Sequence, residues 1–182
     1  MFILIFVMIM KEVFIMKQSI RNQVFETNSS SIHSLSIMNY SASEYDLDKL
    51  TYDIDVGEFG WEHDEYCDPE TILTYLWTLA NTCYDFEKAK EYKERLKEWC
   101  PNVHFIDYPV DEYNGDKYFD CHGYVDHGND YELDKIFESK QRVADLVFNG
   151  LIRTTNDNSY DGDEIDEWVE PKDAKITFWK GN

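Results

Sequence analysis

The chain has 182 residues and a formal net charge of −20, from 37 acidic and 17 basic side chains. A hydrophobic content of 43% and an aromatic content of 16% provide for an ordinary core, so the composition excludes a globally disordered chain. The charge disfavours direct binding to nucleic acid or to an anionic membrane surface, because both attract basic side chains. The partners that it favours are a basic protein surface, a metal cation or a neutral small molecule.

An apolar extension, residues 1–15, precedes a single domain predicted over residues 16–182. The longest apolar run of the extension is shorter than the roughly 20 residues that a membrane-spanning helix needs. Strands are predicted at residues 20–25 and 32–38, on either side of a turn of small polar side chains. A candidate polar site in this segment consists of Asn28, Ser29, Ser30, Ser31 and His33. These side chains either hold a ligand or satisfy the backbone of the turn.

The middle of the chain predicts an acidic loop followed by two helices. A short helix is expected at residues 41–50, and a long loop with strand fragments at residues 51–66. Asp68 and Pro69 are a typical helix start, and the wide apolar face behind them predicts a mostly buried helix to about residue 82. Asp85 caps a second helix of mixed charge, which Pro101 ends. Strands are predicted at residues 103–108 and 118–125.

The last third of the sequence predicts one more helix and a closing strand. The apolar stripe over residues 131–148 indicates a third helix, which Asn149 and Gly150 terminate, and residues 174–180 alternate as a strand does. The fold class predicted is α+β, with a mixed or largely antiparallel sheet packed with about three helices. The four cysteines lack the close spacing of a zinc site, so reduced, mostly buried thiols of a cytoplasmic protein are expected.

Two segments have the side chains of a cation site without the full spacing of a known motif. His122, Asp126 and His127 could ligate a transition metal, or they could form the polar end of an edge strand. The second segment follows only the first half of a calcium loop, because Trp168 stands where the bidentate glutamate belongs. Its ligand candidates are Asp157, Asp161 and Asp163. We therefore predict no cofactor and allow only weak binding of a divalent cation.

Two acidic segments, residues 44–70 and 157–173, are expected to form one solvent-facing surface. The first has eleven acids and one base, and the second has eight acids and one base. Their carboxylates should face water, because burying an unpaired acid costs several kcal/mol. The residues predicted to contact a partner are Asp53, Asp55, Glu58, Glu62, Asp64, Asp163, Glu164 and Glu167.

A resemblance to a family lies in the first polar turn. The run Phe25-Glu26-Thr27-Asn28-Ser29-Ser30-Ser31, followed by His33 and Ser34, resembles the opening of small uncharacterised proteins encoded by bacteriophages and prophages. Residues 123–127 and 156–158 are similar to further motifs of those proteins, although Gly128 stands where they have a polar residue. The resemblance implies a viral accessory protein in the bacterial cytoplasm, and it transfers no catalytic residue.

Two functions follow from these patterns. The first is a non-enzymatic acidic protein that binds or inhibits a host protein with a basic surface, as a counter-defence protein would. The alternative is an enzyme or metal-dependent binding protein, in which Asn28, Ser29 and His33 converge with Asp126 and His127.

Overall fold

A four-stranded antiparallel sheet and a buried helix form the centre of the fold. The computed structural model describes residues 33–39, 46–60, 64–125, 133–154 and 173–180. The strands of this sheet are β1 (His33–Met38), β4 (Asp64–Tyr66), β9 (Gly150–Thr154) and β10 (Ala174–Lys180), in the order β10-β1-β9-β4. Leu35 lies opposite Ile152 on one side and Phe178 on the other, and all three side chains are buried. The strands predicted at residues 32–38 and 174–180 are therefore confirmed.

Helix α1 (Pro69–Asn81) is buried along most of its length and contributes many of the residues of the hydrophobic core. The Asp68 side chain accepts a hydrogen bond from the Thr71 amide at 2.8 Å, and the Asp85 side chain caps α2 (Phe86–Trp99) in the same way. Each cap satisfies backbone donors that a helix start leaves unpaired. Both predicted helices are confirmed with these boundaries.

The third predicted helix is wrong in one respect, because it is two helices. Helix α3 (Leu133–Ile136) ends before Ser139, and α4 (Lys140–Asn149) begins after it. Ser139 is extended and accepts a hydrogen bond from the Arg142 amide at 3.2 Å, so it starts a new helix and does not continue the old one. At the short helix predicted over residues 41–50, the described part shows a single 3-10 turn, Leu47–Lys49.

In the described part of the chain, three further pairs of short strands lie outside the central sheet. Strands β2 (Asp53–Ile54) and β5 (His104–Phe105) are parallel, as are β3 (Glu58–Phe59) and β8 (Tyr124–Val125). Strands β6 (Val110–Tyr113) and β7 (Asp116–Phe119) form an antiparallel hairpin. The fold is α+β with mostly antiparallel pairing, as the sequence predicts.

The strands predicted at residues 103–108 and 118–125 are shorter than expected. The first ends at Phe105, because the Ile106 carbonyl accepts a hydrogen bond from the Trp77 indole at 3.1 Å. The second breaks where the Cys121 amide turns back to the Phe119 carbonyl at 2.9 Å. Gly123 then passes so close to Val56 that an added Cβ would lie 2.4 Å from the Val56 Cβ. Only a glycine fits this approach without a shift of the backbone.

Candidate functional site

Most of the predicted polar and metal-binding residues lie outside the described part of the chain. These are Asn28, Ser29, Ser30, Ser31, Glu62, Asp126, His127, Asp157, Asp161, Asp163, Glu164 and Glu167. The backbone of His33 is the first residue of β1, paired with Thr154 and Lys180, but its side chain is outside the description. The convergence of residues 28–33 with residues 126–127 therefore stays a prediction.

The described members of the predicted acidic surface make hydrogen bonds within the molecule. Asp53, with 86% of its side chain exposed, lies 3.0 Å from His104 Nδ1. Glu58 accepts from the Tyr124 hydroxyl at 3.4 Å. In the same manner, Asp64 accepts from the Tyr66 hydroxyl at 2.8 Å. Their role in binding a partner stays a prediction.

Asp55 and His122 lie at the two ends of a hydrogen-bonded chain through Tyr108. The Tyr108 hydroxyl donates its hydrogen to Asp55. The oxygen of the same hydroxyl then accepts a hydrogen bond from His122 Nδ1 at 3.3 Å. Burial and the neighbouring Asp55 carboxylate raise the pKa of Tyr108 well above its usual value, so the phenol stays protonated. Within the described ranges, no three His, Cys, Asp or Glu side chains are placed to hold a metal ion.

An open pocket of about 720 Å³ lies between the end of α1 and the β6–β7 hairpin. It is lined by residues 81–84 after α1 and by residues 116–119 of β7, together with Tyr113, Cys121 and Gly123. The volume is within the range of roughly 300–1,000 Å³ that ligand pockets occupy. Four of its residues are aromatic, and its two formally charged side chains, Asp116 and Lys117, have opposite signs.

A buried lysine lies directly behind the wall of this pocket. Lys93 is 5% exposed, and its Nζ donates to Asn81 Oδ1 at 2.9 Å. The same ammonium lies 3.5 Å from the centre of the Phe119 ring and 3.5 Å from an oxygen of Asp107. Desolvation lowers the pKa of Lys93 below its usual value, although the Asp107 charge acts against the shift. The ammonium thus ties α1, α2 and the base of the hairpin together.

Asp107 joins this buried lysine to the surface. Its second oxygen lies 2.5 Å from Lys97 Nζ. Partial burial acts to raise the pKa of the Asp107 carboxyl, but the hydrogen bond from Lys97 and the charge of Lys93 outweigh it and hold the pKa below its usual value. The carboxylate is therefore ionised at neutral pH and offsets part of the cost of burying Lys93.

The β6–β7 hairpin is the feature that sequence reasoning missed. Asn114 and Gly115 have φ angles of 57° and 93°, as a two-residue type I′ turn requires. An Asn-Gly pair between two short polar strands is the sequence signal that could have located this turn. Residues 110–118 are all exposed.

The two faces of the hairpin differ in chemistry. Residues directly opposite each other in an antiparallel pair share a face, so Asp111 and Tyr118 lie with Tyr113 and Asp116. The Tyr118 hydroxyl donates to Asp111 at 3.2 Å, in agreement with this placement. We call these four residues the acidic tyrosine face. The opposite face carries Val110, Glu112, Lys117 and Phe119.

Three large exposed aromatic side chains line the pocket: Tyr84, Tyr113 and Tyr118. The other large hydrophobic side chains exposed within the described ranges are Ile106 and Val110. Tyr84 and Tyr113, which are 85% and 64% exposed, both line the pocket. Exposed aromatic rings grouped in this way are typical of a contact surface, since tyrosine is enriched at protein interfaces.

The pocket thiols do not have the environment of a nucleophile. Burial raises the pKa of Cys121, so this thiol is protonated at neutral pH, and the reactive form of a cysteine is the thiolate. Cys83 is buried, and its Sγ lies 3.5 Å from the Asp85 carbonyl oxygen. The arrangement is better suited to binding than to covalent catalysis.

None of the helices within the described ranges is both long enough and apolar enough to cross a membrane. Comparison of this chain with protein-family models, with curated proteins and with solved structures finds no match in any of the three.

Proposed function

We propose that this chain is a non-enzymatic acidic binding protein that docks on a basic surface of another protein through its β6–β7 hairpin. The observation that carries the proposal is the grouping of exposed tyrosines with carboxylates on the acidic tyrosine face. A tyrosine ring supplies contact area at a low cost in side-chain entropy, and its face attracts Lys and Arg cations. The carboxylates beside the rings favour the same cations.

The charge of the whole chain supports the same partner. With 37 acids and 17 bases, most acids have no basic side chain to pair with. The hairpin carries three acids, Asp111, Glu112 and Asp116, and a single base, Lys117. A field of one sign accelerates docking to a partner of the opposite sign, and salt weakens it.

The resemblance of residues 21–36 to phage and prophage proteins suggests where such a partner is found. We infer a protein of the bacterial host, with a defence protein as one candidate, and a binder that acts in the host cytoplasm. Inhibition would follow if the docked surface is the one that the host protein uses for its own acidic or nucleic-acid ligand.

The test compares two variants that lose the same charge at different places. Asp111→Asn with Asp116→Asn removes two carboxylates from the acidic tyrosine face. Glu94→Gln with Glu98→Gln removes two exposed carboxylates from α2 and serves as the matched control. Immobilised wild type, variant and control are incubated with bacterial lysate at low and at raised salt, and the retained proteins are quantified by mass spectrometry.

We expect the wild type and the control to retain the same basic proteins at low salt and to release them as salt is raised. The hairpin variant should retain at least tenfold less. Equal retention by the hairpin variant and the control would refute a docking role for the hairpin. Retention that does not change with salt concentration would refute binding to a basic surface.

A further inference from the structure

We propose that the hairpin recognises its partner by strand addition: an extended segment with alternating basic and apolar side chains pairs with the free edge of β7 inside the pocket. This inference rests on the proposed function and specifies how the same surface binds. It follows from the direction of the backbone groups of β7, the shape of the pocket and the chemistry of the two hairpin faces.

The edge of β7 that faces away from β6 presents backbone N–H groups. Within the described ranges, β7 pairs with β6 and with no other strand. The two-residue turn makes Tyr113 and Asp116 a hydrogen-bonded pair, and the bond from the Asp120 amide to the Pro109 carbonyl continues the same alternation. The backbone N–H groups of Lys117 and Phe119 therefore point away from β6. They form a row of donors that an added strand can use.

All of β7 lines the pocket. Four consecutive residues, Asp116 to Phe119, line it, and their side chains alternate between the two faces of the hairpin. A pocket wall that includes both faces is formed by the edge of the strand. Residues 81–84, at the end of α1, line the same pocket. The pocket therefore lies where an added strand would run, roughly 4.8 Å from β7.

The two faces of the hairpin favour different side chains on the added strand. Those that point to the acidic tyrosine face meet Asp116 and Tyr118, which favour Lys or Arg. Those that point to the opposite face meet Lys117 and Phe119, which disfavour a second cation and favour an apolar side chain. Successive side chains of a strand point to opposite faces, so the sequence favoured alternates basic and apolar residues. A slip by one residue would exchange the faces and lose both preferences.

The probe is a fluorescent octapeptide of four Lys-Val repeats, and its control has the same composition as a block of four lysines and a block of four valines. Binding is measured by fluorescence anisotropy at low salt. We expect the alternating peptide to bind at least tenfold more tightly than the block peptide. Equal affinity would overturn strand addition, because charge alone would then account for binding. No measurable binding of the alternating peptide would overturn it as well.

Two methylated peptides test the backbone pairing. One has N-methyl groups on its lysines, and the other has them on its valines, so each lacks the amide hydrogens of one set of alternate residues. An added strand uses one set and leaves the other unused, and we therefore expect one of the two peptides to lose at least tenfold in affinity while the other is retained. Loss by both or by neither would contradict the pairing.

Two proline variants separate the contribution of the β7 edge to peptide binding from the contribution of charge. Lys117→Pro removes an outward N–H from the β7 edge and one positive charge. Glu112→Pro removes one negative charge and, on the β6 edge, an N–H that donates to Asp111 Oδ1 at 2.8 Å. Charge alone predicts tighter binding of the basic peptide by Lys117→Pro and weaker binding by Glu112→Pro. Strand addition at β7 predicts at least tenfold weaker binding by Lys117→Pro despite the lost positive charge, and a smaller loss by Glu112→Pro, with retained hairpin resonances in NMR spectra as the folding control. If the charge pattern is seen while Asp111→Asn with Asp116→Asn still abolishes capture of basic proteins, strand addition fails and the proposed function stands.

Discussion

Replacing Lys93 with methionine tests whether the buried ammonium stabilises the wall of the pocket. Methionine keeps most of the length of the side chain and removes its charge and donors. The loss leaves Asn81 Oδ1, now 2.9 Å from Lys93 Nζ, as a buried acceptor with no donor, which costs about 1–3 kcal/mol. The lost contact with the Phe119 ring adds roughly 0.5–2 kcal/mol.

Relief of desolvation acts in the other direction. The lowered pKa of Lys93 indicates that its surroundings disfavour the charged form, so removing the charge returns part of this cost. We expect Lys93→Met to lower the free energy of unfolding by about 1–2 kcal/mol. Lys97→Met is the control, because Lys97 also pairs with Asp107 but is 41% exposed, and we expect it to cost less than about 1 kcal/mol.

A double-mutant cycle isolates the contact between Lys93 and Asn81. Asn81→Leu alone leaves the ammonium without this hydrogen bond, whereas the double variant removes both partners and leaves neither unpaired. The double variant should therefore be more stable than the sum of the two single losses by about 1 kcal/mol or more. Urea unfolding followed by circular dichroism measures all four proteins. Additive losses, or a Lys93→Met protein at least as stable as the wild type, would refute this account of the contact.

Three further predictions concern the hairpin, the approach at Gly123 and the carboxylate behind the pocket. Gly115→Ala places a side chain at φ 93°, where nothing lies within 4 Å of the new Cβ, so its cost is backbone strain of about 1–2 kcal/mol. Hydrogen exchange of the hairpin amides should accelerate roughly tenfold, and unchanged exchange would contradict the type I′ turn. Gly123→Ala should destabilise by about 1–3 kcal/mol because its Cβ would lie 2.4 Å from the Val56 Cβ. Val56→Gly removes that Cβ, so in urea unfolding it should cost less in the Gly123→Ala protein than in the wild type, and additive losses would show that the close approach is not the cause. The lowered pKa of Asp107 means that the unfolded state binds more protons as pH falls through the carboxyl range. The stability advantage of the wild type over Asp107→Asn should therefore be complete above about pH 5 and disappear as pH falls below the folded-state pKa, in urea unfolding measured from pH 2.5 to 7, whereas a constant difference would refute the linkage.

Local signals in the sequence predicted the two long helices well. Asp68 and Pro69 start α1 and Asp85 starts α2, because a carboxylate cap acts on amides only two or three residues away. The break at Ser139 was harder to predict, since the apolar stripe continues through it and only the cap geometry separates α3 from α4. The parallel pairs β2–β5 and β3–β8 have two residues per strand, which is too few for a periodic pattern.

The candidate site was missed for two physical reasons. The hairpin strands are exposed on both faces, so they lack the alternation of apolar and polar residues by which a half-buried strand is found, and the Asn114-Gly115 turn was the only local signal. Lys93 occupies a position on the apolar side of α2, four residues after Ala89 and three before Leu96. A lysine at such a position indicates a buried cation, but the sequence does not show that its partners are Asn81 and Asp107, which come from other elements.

The order of strands in the central sheet determines when this fold can form. Ser36 of β1 and Thr177 of β10 are joined by a 3.1 Å hydrogen bond although they are 141 positions apart, whereas the hairpin closes over two residues. Pairings so distant along the chain slow folding, because the entropy of closing a long loop is lost before the contacts form. At a synthesis rate of roughly 5–20 residues per second, Thr177 follows Ser36 by roughly 7–30 s. For most of that interval β1 has neither β9 nor β10 beside it, because β9 begins only at Gly150, so the newly made chain should need protection from aggregation until both strands have been made.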